Sequence, residues 1–253
     1  MCLILFSYKR HPDYRLVFAA NRDEFYNRPT MPASFWGEAP FVLAGKDLQA
    51  GGTWFGITRS GRIAALTNYR EPGFYRKTAP SRGLLVSGFL RGGDRPEVYL
   101  KKIALQAQEY NGFSLVIGDR EDLFYFSNRG DGCRRLEPGV YGLSNHLLDT
   151  AWPKVEKGKK ELESLLSRNG EPSPEELLGV LADRSRPEDS RLPVTGVGLE
   201  WERILSPLFI TSPVYGTRSS YLLLIDWKDR VTFWERFFNS GEPQTRKFEF
   251  TIE

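Results

Sequence analysis

The chain has 253 residues, 40% hydrophobic, 13% aromatic and 26% charged, which suits a folded core and excludes a disordered, collagen-like or coiled-coil protein. Lys plus Arg number 35 against 32 Asp plus Glu, so the net charge of +3 offers no argument for nucleic acid. Two Cys and two His exclude a disulfide framework, a four-cysteine zinc site and an HExxH site, and leave little room for a Ser-His-Asp triad.

In chain order, "CLILFSY" (2–8) predicts a strand, "KRHPD" (9–13) a turn at Pro12 and Asp13, and "YRLVFAA" (14–20) a second strand. A second hairpin is predicted from "TWFGI" (53–57) and "IAALT" (63–67) across "TRSGR". Helices follow at 81–90, with Ser81 as the expected N-cap, and from Pro96 to Tyr110. A third hairpin pairs "FSLVIG" (113–118) with "LFYFS" (123–127), and a short strand ends just before Asn145. Pro153 to Leu166 is a charged helix with an apolar stripe at Val155, Leu162, Leu165 and Leu166. Residues 173–182 open with Ser173, Pro174 and Glu176, the signature of a capping box. The polar stretch 183–198 reads as a surface loop, and strands close the chain at 220–226, 231–238 and 245–253.

Antiparallel hairpins with helices in two blocks predict an α+β fold rather than βαβ alternation, in a single domain spanning 1–253. No apolar stretch approaches ~20 residues, so no transmembrane segment is expected. "CLILF" is too short for a secretory signal, and the default compartment is the cytoplasm.

Chemistry concentrates at the start. Removal of the initiator Met turns Cys2 into a residue with both a thiol and an α-amine. The amine titrates near ~7.7–8.0 and serves as a base for the thiol, near ~8.5, without any histidine. The plain alternative is a small buried strand residue. "NRDE" (Asn21–Glu24) ends the second strand. A turn centred near His11 and Pro12 sets Cys2 opposite Asn21 or Arg22, with Cβ atoms roughly 4.5–5.5 Å apart. An Arg there stabilises a thiolate and a carboxylate orients the amine; otherwise the motif is a solvated ion-pair cluster. Asn68 in "LTNYREPG" and Asn145 in "YGLSNHLLD" are oxyanion donors or turn residues. Arg218 stands at a strand entry, and His146 is a candidate metal or haem ligand. The glycines of "GKDLQAGGTWFG" (45–56) match no phosphate-binding motif. Trp54, Phe55, Tyr69, Phe74 and Tyr75 wall a pocket or fill a core.

"MCLILF", "AANRDEF", "AGGTWFGI", "LTNYREP", "YNGFSLVIGD", "YGLSNHLLDTAWPKV", "TGVGLEWERILSPLFI" and "YGTRSSYLLLI", spread over the whole chain, resemble the NRDE family, that of transport and Golgi organisation protein 2. That family in turn resembles N-terminal nucleophile hydrolases of the choloylglycine hydrolase and penicillin V acylase type. The resemblance implies a four-layer αββα sandwich of antiparallel sheets. It implies Cys2 as nucleophile, Asp23 holding the amine, Asn68 and Asn145 at the oxyanion, and Arg218 as a late catalytic Arg. The relatives carry an Arg three residues before the Asp, where this chain has Ala20. Arg22 stands directly before Asp23 instead, and its guanidinium is expected on the other face of the strand.

Two functions follow. One is an N-terminal-cysteine hydrolase of an amide, ester or thioester, needing no cofactor or metal, with Asn21, Glu24, Trp54 and Tyr69 contacting the acyl ligand. The other is a non-catalytic carrier, which the resemblance connects with haem trafficking and with acyl-CoA or lipid. Haem as cargo asks for an axial ligand among His146, Cys2, Cys133, Met31 or a Tyr, and acyl-CoA for bases among Arg22, Arg70, Arg76, Lys77 and Arg218. Nothing in the sequence sets the oligomeric state.

Overall fold

The apolar runs that open the chain pair as a hairpin, β1 (Cys2–Tyr8) antiparallel to β2 (Tyr14–Phe25), from Cys2 opposite Arg22 to Tyr8 opposite Leu16. The register is one of the two that the turn at His11 and Pro12 allows. A computed structural model of the chain describes residues 2–168, 170–238 and 241–253. Its contacts divide into one unit of Met1–Asn27, Glu137–Ser144 and Leu148–Phe250, and a second of Arg28–Leu136, Asn145–Leu147 and Thr251–Glu253. The fold is α+β with two antiparallel sheets, as predicted.

In the first unit, β1 and β2 join β10 (Gly139–Leu143), β11 (Tyr215–Asp226), β12 (Arg230–Phe237) and β13 (Gln244–Thr251) in the order β10-β1-β2-β11-β12-β13. Helices α3 (Pro153–Leu166) and α4 (Pro174–Leu181) cover one face. Leu3, Leu5, Val17, Ala19, Leu222 and Leu224 alternate onto that face and bury against Val155, Leu162, Leu165, Leu177 and Leu178. The α4 capping box forms as predicted: Ser173 Oγ accepts from Glu176 N, and Glu176 reaches back to Ser173 N. The opposite face is also buried, with a stack of Phe18, Phe6 and Tyr141 at centroid spacings of 5.7 and 5.1 Å. A sheet buried on both faces explains why these strands read as continuous apolar runs instead of alternating ones. The loop 183–198 belongs wholly to this unit and leads into α5 (Leu199–Leu205), a helix the sequence reading does not anticipate.

The second unit is a meander: β3 (Thr30–Trp36), β4 (Ala39–Asp47), β5 (Phe55–Thr58), β6 (Ile63–Asn68), β7 (Phe113–Gly118), β8 (Leu123–Ser127) and β9 (Gly132–Arg135) pair in chain order. Helices α1 (Gly83–Arg91) and α2 (Pro96–Gln106) bury Leu85, Val86, Phe89, Leu90, Leu100 and Ile103 against Val42, Ala64, Leu66, Leu115 and Ile117. Strands β3 and β4 are absent from the sequence reading because Pro32 and Pro40 sit inside them. The sheet tolerates Pro32 because β3 is an edge strand with register shifts, and Pro40 lies near the start of β4. Helix α1 begins later than expected, with Arg82 rather than Ser81 at its N-cap, because the Ser81 and Arg82 carbonyls accept from Leu84 N and Leu85 N in tighter, three-residue turns. Among the described residues no helix is long and apolar enough to cross a membrane.

Candidate functional site

Strand alternation sorts the NRDE motif onto two faces. Leu3 and Leu5 point to the helices, so Cys2 points to the opposite face, and its partner Arg22 points there with it. Ala20 lies two residues from Arg22 and pairs with Ile4 on that same face. The expectation that the displaced Arg changes face is therefore overturned: a strand repeats every two residues, so a two-residue shift preserves the side.

Asp23 and Asn21 point to the helix face. There Thr217 Oγ1 donates to Asp23 Oδ1 at 2.7 Å, and Tyr215 Oη donates to the Asp23 carbonyl at 3.0 Å. A bulge brings Thr217 into place. Thr217 pairs with Asp23 and Ser219 with Arg22, which leaves Arg218 as the extra residue on β11. Thr217 and Ser219, two apart in sequence, consequently face opposite sides of the sheet. Arg218 is unpaired on the β2 side, its carbonyl accepts from Phe238 N at 2.9 Å, and its Nη1 donates to the Phe25 carbonyl at 2.9 Å.

Burial pushes the Cys2 thiol pKa up and the Asp23 carboxylate adds to the rise, while Arg22 and the Asp23 backbone N–H draw it down. Cys2 is only partly buried and keeps some exposed surface. Asp23 is raised by its own burial, opposed by Lys154, the Thr217 hydroxyl and Arg22. Arg218 is lowered by burial and by repulsion from Arg22, which places two guanidinium groups in the field of one site.

The face that carries Cys2 and Arg22 also carries residues the sequence reading missed. Ser219 pairs with Arg22, and two pairs further along Tyr221 stands between Ala20 and Glu235. Tyr221 Oη donates to Glu235 Oε1 at 2.5 Å, and both side chains are fully buried. Burial and then the Glu235 charge drive the Tyr221 phenol well above its ordinary value, and Arg22 opposes them. A Glu in "VTFWERFF" that alternates with Phe233 and Phe237 on one strand face was the available signal.

Asn21 is hydrogen-bonded within the fold. Its Nδ2 donates to the carbonyls of Leu181 and Leu208, both at 2.8 Å, and its Oδ1 accepts from Ser220 Oγ at 2.6 Å. Both amide protons are committed to holding the end of α4 and the 208 segment to β2. Glu24 Oε1 accepts from the Phe25 N–H at 2.9 Å at the strand end.

Asn68, Tyr69, Asn145 and Trp54 belong to the second unit. Asn145 is fully buried and its Nδ2 donates to the Asn68 carbonyl at 3.1 Å, while its own carbonyl accepts from Arg70 N at 2.8 Å. The two predicted oxyanion residues are thus neighbours. Tyr69 Oη and His146 Nε2 are 2.5 Å apart, with ring centroids at 4.6 Å. Burial and the nearby Arg70 charge lower the His146 pKa, both favouring the neutral ring over the cation. Haem ligation through Nε2 requires that this bond be broken. Trp54 is buried and lies over the backbone of Gly45, where a Cβ would meet its ring at 2.6 Å. Cys133 is exposed on β9, and among the described residues no cluster of His, Cys, Asp or Glu is arranged to hold a metal ion.

The family model for Transport and Golgi organisation 2 matches residues 1–240. The chain belongs to the Transport and Golgi organisation 2 family. It is 37% identical to the bovine Transport and Golgi organization protein 2 homolog and 36% identical to the human one, with 100% of each chain covered. A Caenorhabditis elegans N-acylethanolamine-hydrolyzing acid amidase ortholog is similar in structure at 10% identity and TM-score 0.49, over 88% of this chain and 92% of that one. In this member of the Transport and Golgi organisation 2 family, the NRDE motif divides its labour. Arg22 and Glu24 alternate onto the Cys2 face, while Asn21 and Asp23 are tied down on the helix face.

Proposed function

We propose that this chain is an N-terminal-cysteine hydrolase acting on an amide, ester or thioester. The observation that carries the reading is the Cys2–Arg22 pair, with the Asp23 backbone N–H on the sulfur and the Asp23 carboxyl held by Thr217. Met1 is removed first. The Cys2 thiol, held neutral by burial, gives its proton to its own α-amine. The thiolate adds to the substrate carbonyl carbon, and the C–N, C–O or C–S bond breaks as the ammonium returns the proton to the leaving group. Water then attacks the thioester, releases the acid and restores the thiol. Arg22 offsets the thiolate charge, and Asp23 offsets the ammonium.

Intact mass of the untagged protein, before and after a thiol-reactive probe in a Cys133→Ser background, is the test. A mass lacking one methionine, labelling that Cys2→Ala removes, and acyl turnover that Cys2→Ala abolishes are expected. Retained methionine with turnover unaffected by Cys2→Ala overturns the reading and leaves a binding role on the same scaffold.

A further inference from the structure

The first unit contains a cavity of about 450 Å³ between α3 and the segment 185–191, and neither Cys2, Arg22 nor Asp23 lines it. Among the described residues that line it, five are basic, Lys154, Lys157, Lys160, Arg186 and Arg191, and one, Glu156, is acidic. The three lysines fall at i, i+3 and i+6 on α3 and so share one stripe, a costly arrangement of like charges. Some of that charge is answered within the unit. Lys157 pairs with Asp183, Arg191 with Glu156 at 3.1 Å, and buried Lys154 donates to the Leu205 carbonyl at 2.9 Å. Lys160 and Arg186 make no hydrogen bond or ion pair with another described residue. Pro153, Pro187 and Leu208 supply an apolar wall.

A cavity of this size suits a small molecule. One ammonium and one guanidinium left unanswered at its mouth fit a compact dianion better than a carboxylate. A phosphate monoester brings close to two charges and three acceptor oxygens, enough for both donors. We propose that this cavity binds a phosphate monoester, with the phosphate between Lys160 and Arg186 and the organic part against Pro187 and Leu208. The proposal does not depend on Cys2 chemistry.

Titration of the full chain with phenyl phosphate at physiological salt, followed by calorimetry, tests it, with phenol as the neutral control. Saturable binding of phenyl phosphate but not phenol is expected. The double variant Lys160→Glu/Arg186→Glu is expected to weaken it at least tenfold with an unchanged Tm. Lys101→Glu/Lys102→Glu on α2 changes net charge by the same amount and is expected to leave binding intact. Cosedimentation with phosphatidylcholine vesicles containing phosphatidate, lost in the first double variant, assigns the phosphate to a lipid headgroup. No cosedimentation with phenyl phosphate binding retained assigns it to a soluble ester. Absence of saturable binding, or equal weakening by both double variants, overturns the proposal.

Discussion

Tyr221 and Glu235 face each other across β11 and β12, both fully buried, with the phenol donating to Oε1 at 2.5 Å on the sheet face shared with Cys2 and Arg22. A buried carboxyl group is tolerated only where it is hydrogen-bonded, so the phenol is a required partner of Glu235.

Tyr221→Phe removes the donor and leaves Glu235 short of a partner, at a cost of about 1–3 kcal/mol in urea unfolding. Glu235→Gln keeps an acceptor for the phenol and is expected to cost less. The folded pKa of Tyr221 lies above its unfolded value, so its contribution is full below about pH 10 and is lost as pH rises through the folded value. Stability measured from pH 9 upward should therefore fall less steeply in Tyr221→Phe than in the parent. A parallel fall in both chains contradicts the assignment.

Cys2 reactivity should track its two charged neighbours in opposite directions. In a Cys133→Ser background, Arg22→Gln removes the charge that lowers the thiol pKa, and Asp23→Asn removes one that raises it. Iodoacetamide labelling at pH 8 is expected to slow in the first and quicken in the second, by about tenfold for each pKa unit moved. Identical rates in all three chains mean that neither charge acts on the sulfur.

Asp23→Asn has a second readout. Because burial raises the Asp23 pKa in the folded chain, the stability it contributes is full below its unfolded value and is lost as pH rises through the folded one. The Asn variant still accepts from Thr217 and avoids a buried charge. Its stability relative to the parent should improve between pH 4 and pH 8, as followed by thermal melts. A relative loss over that range points instead to a net stabilising Asp23 carboxylate.

Asn21→Ala should behave as a structural lesion. It strands the Leu181 and Leu208 carbonyls and the Ser220 hydroxyl, each worth about 1–3 kcal/mol when left buried without a partner. A markedly lowered Tm is expected, with Cys2 labelling in the surviving folded fraction unchanged. A stable variant with altered labelling assigns Asn21 to the site instead.

In the second unit, the depressed His146 pKa means that its contribution is present above the unfolded value and is lost as pH falls through the folded one. His146→Gln should flatten the acid limb of stability below about pH 6.5, the ordinary histidine value. An acid limb unchanged by the substitution shows that His146 is not the group responsible.

Apolar runs, turn chemistry and caps by themselves determined much of this protein. "CLILFSY", "KRHPD" and "YRLVFAA" specify a hairpin whose register sets Cys2 opposite Arg22 or its neighbour, and Ser173, Pro174 and Glu176 specify the start of α4. These are local rules, in which a few adjacent residues carry the whole signal. Tertiary structure alone decided the rest. Asn21 reads as a site residue until carbonyls 160 and 187 positions away claim its amide. Thr217 reaches Asp23 only through the bulge at Arg218, and Glu235 meets Tyr221 only through the pairing of β11 with β12. Such contacts depend on long-range register, which one residue of slip inverts and which no local pattern encodes.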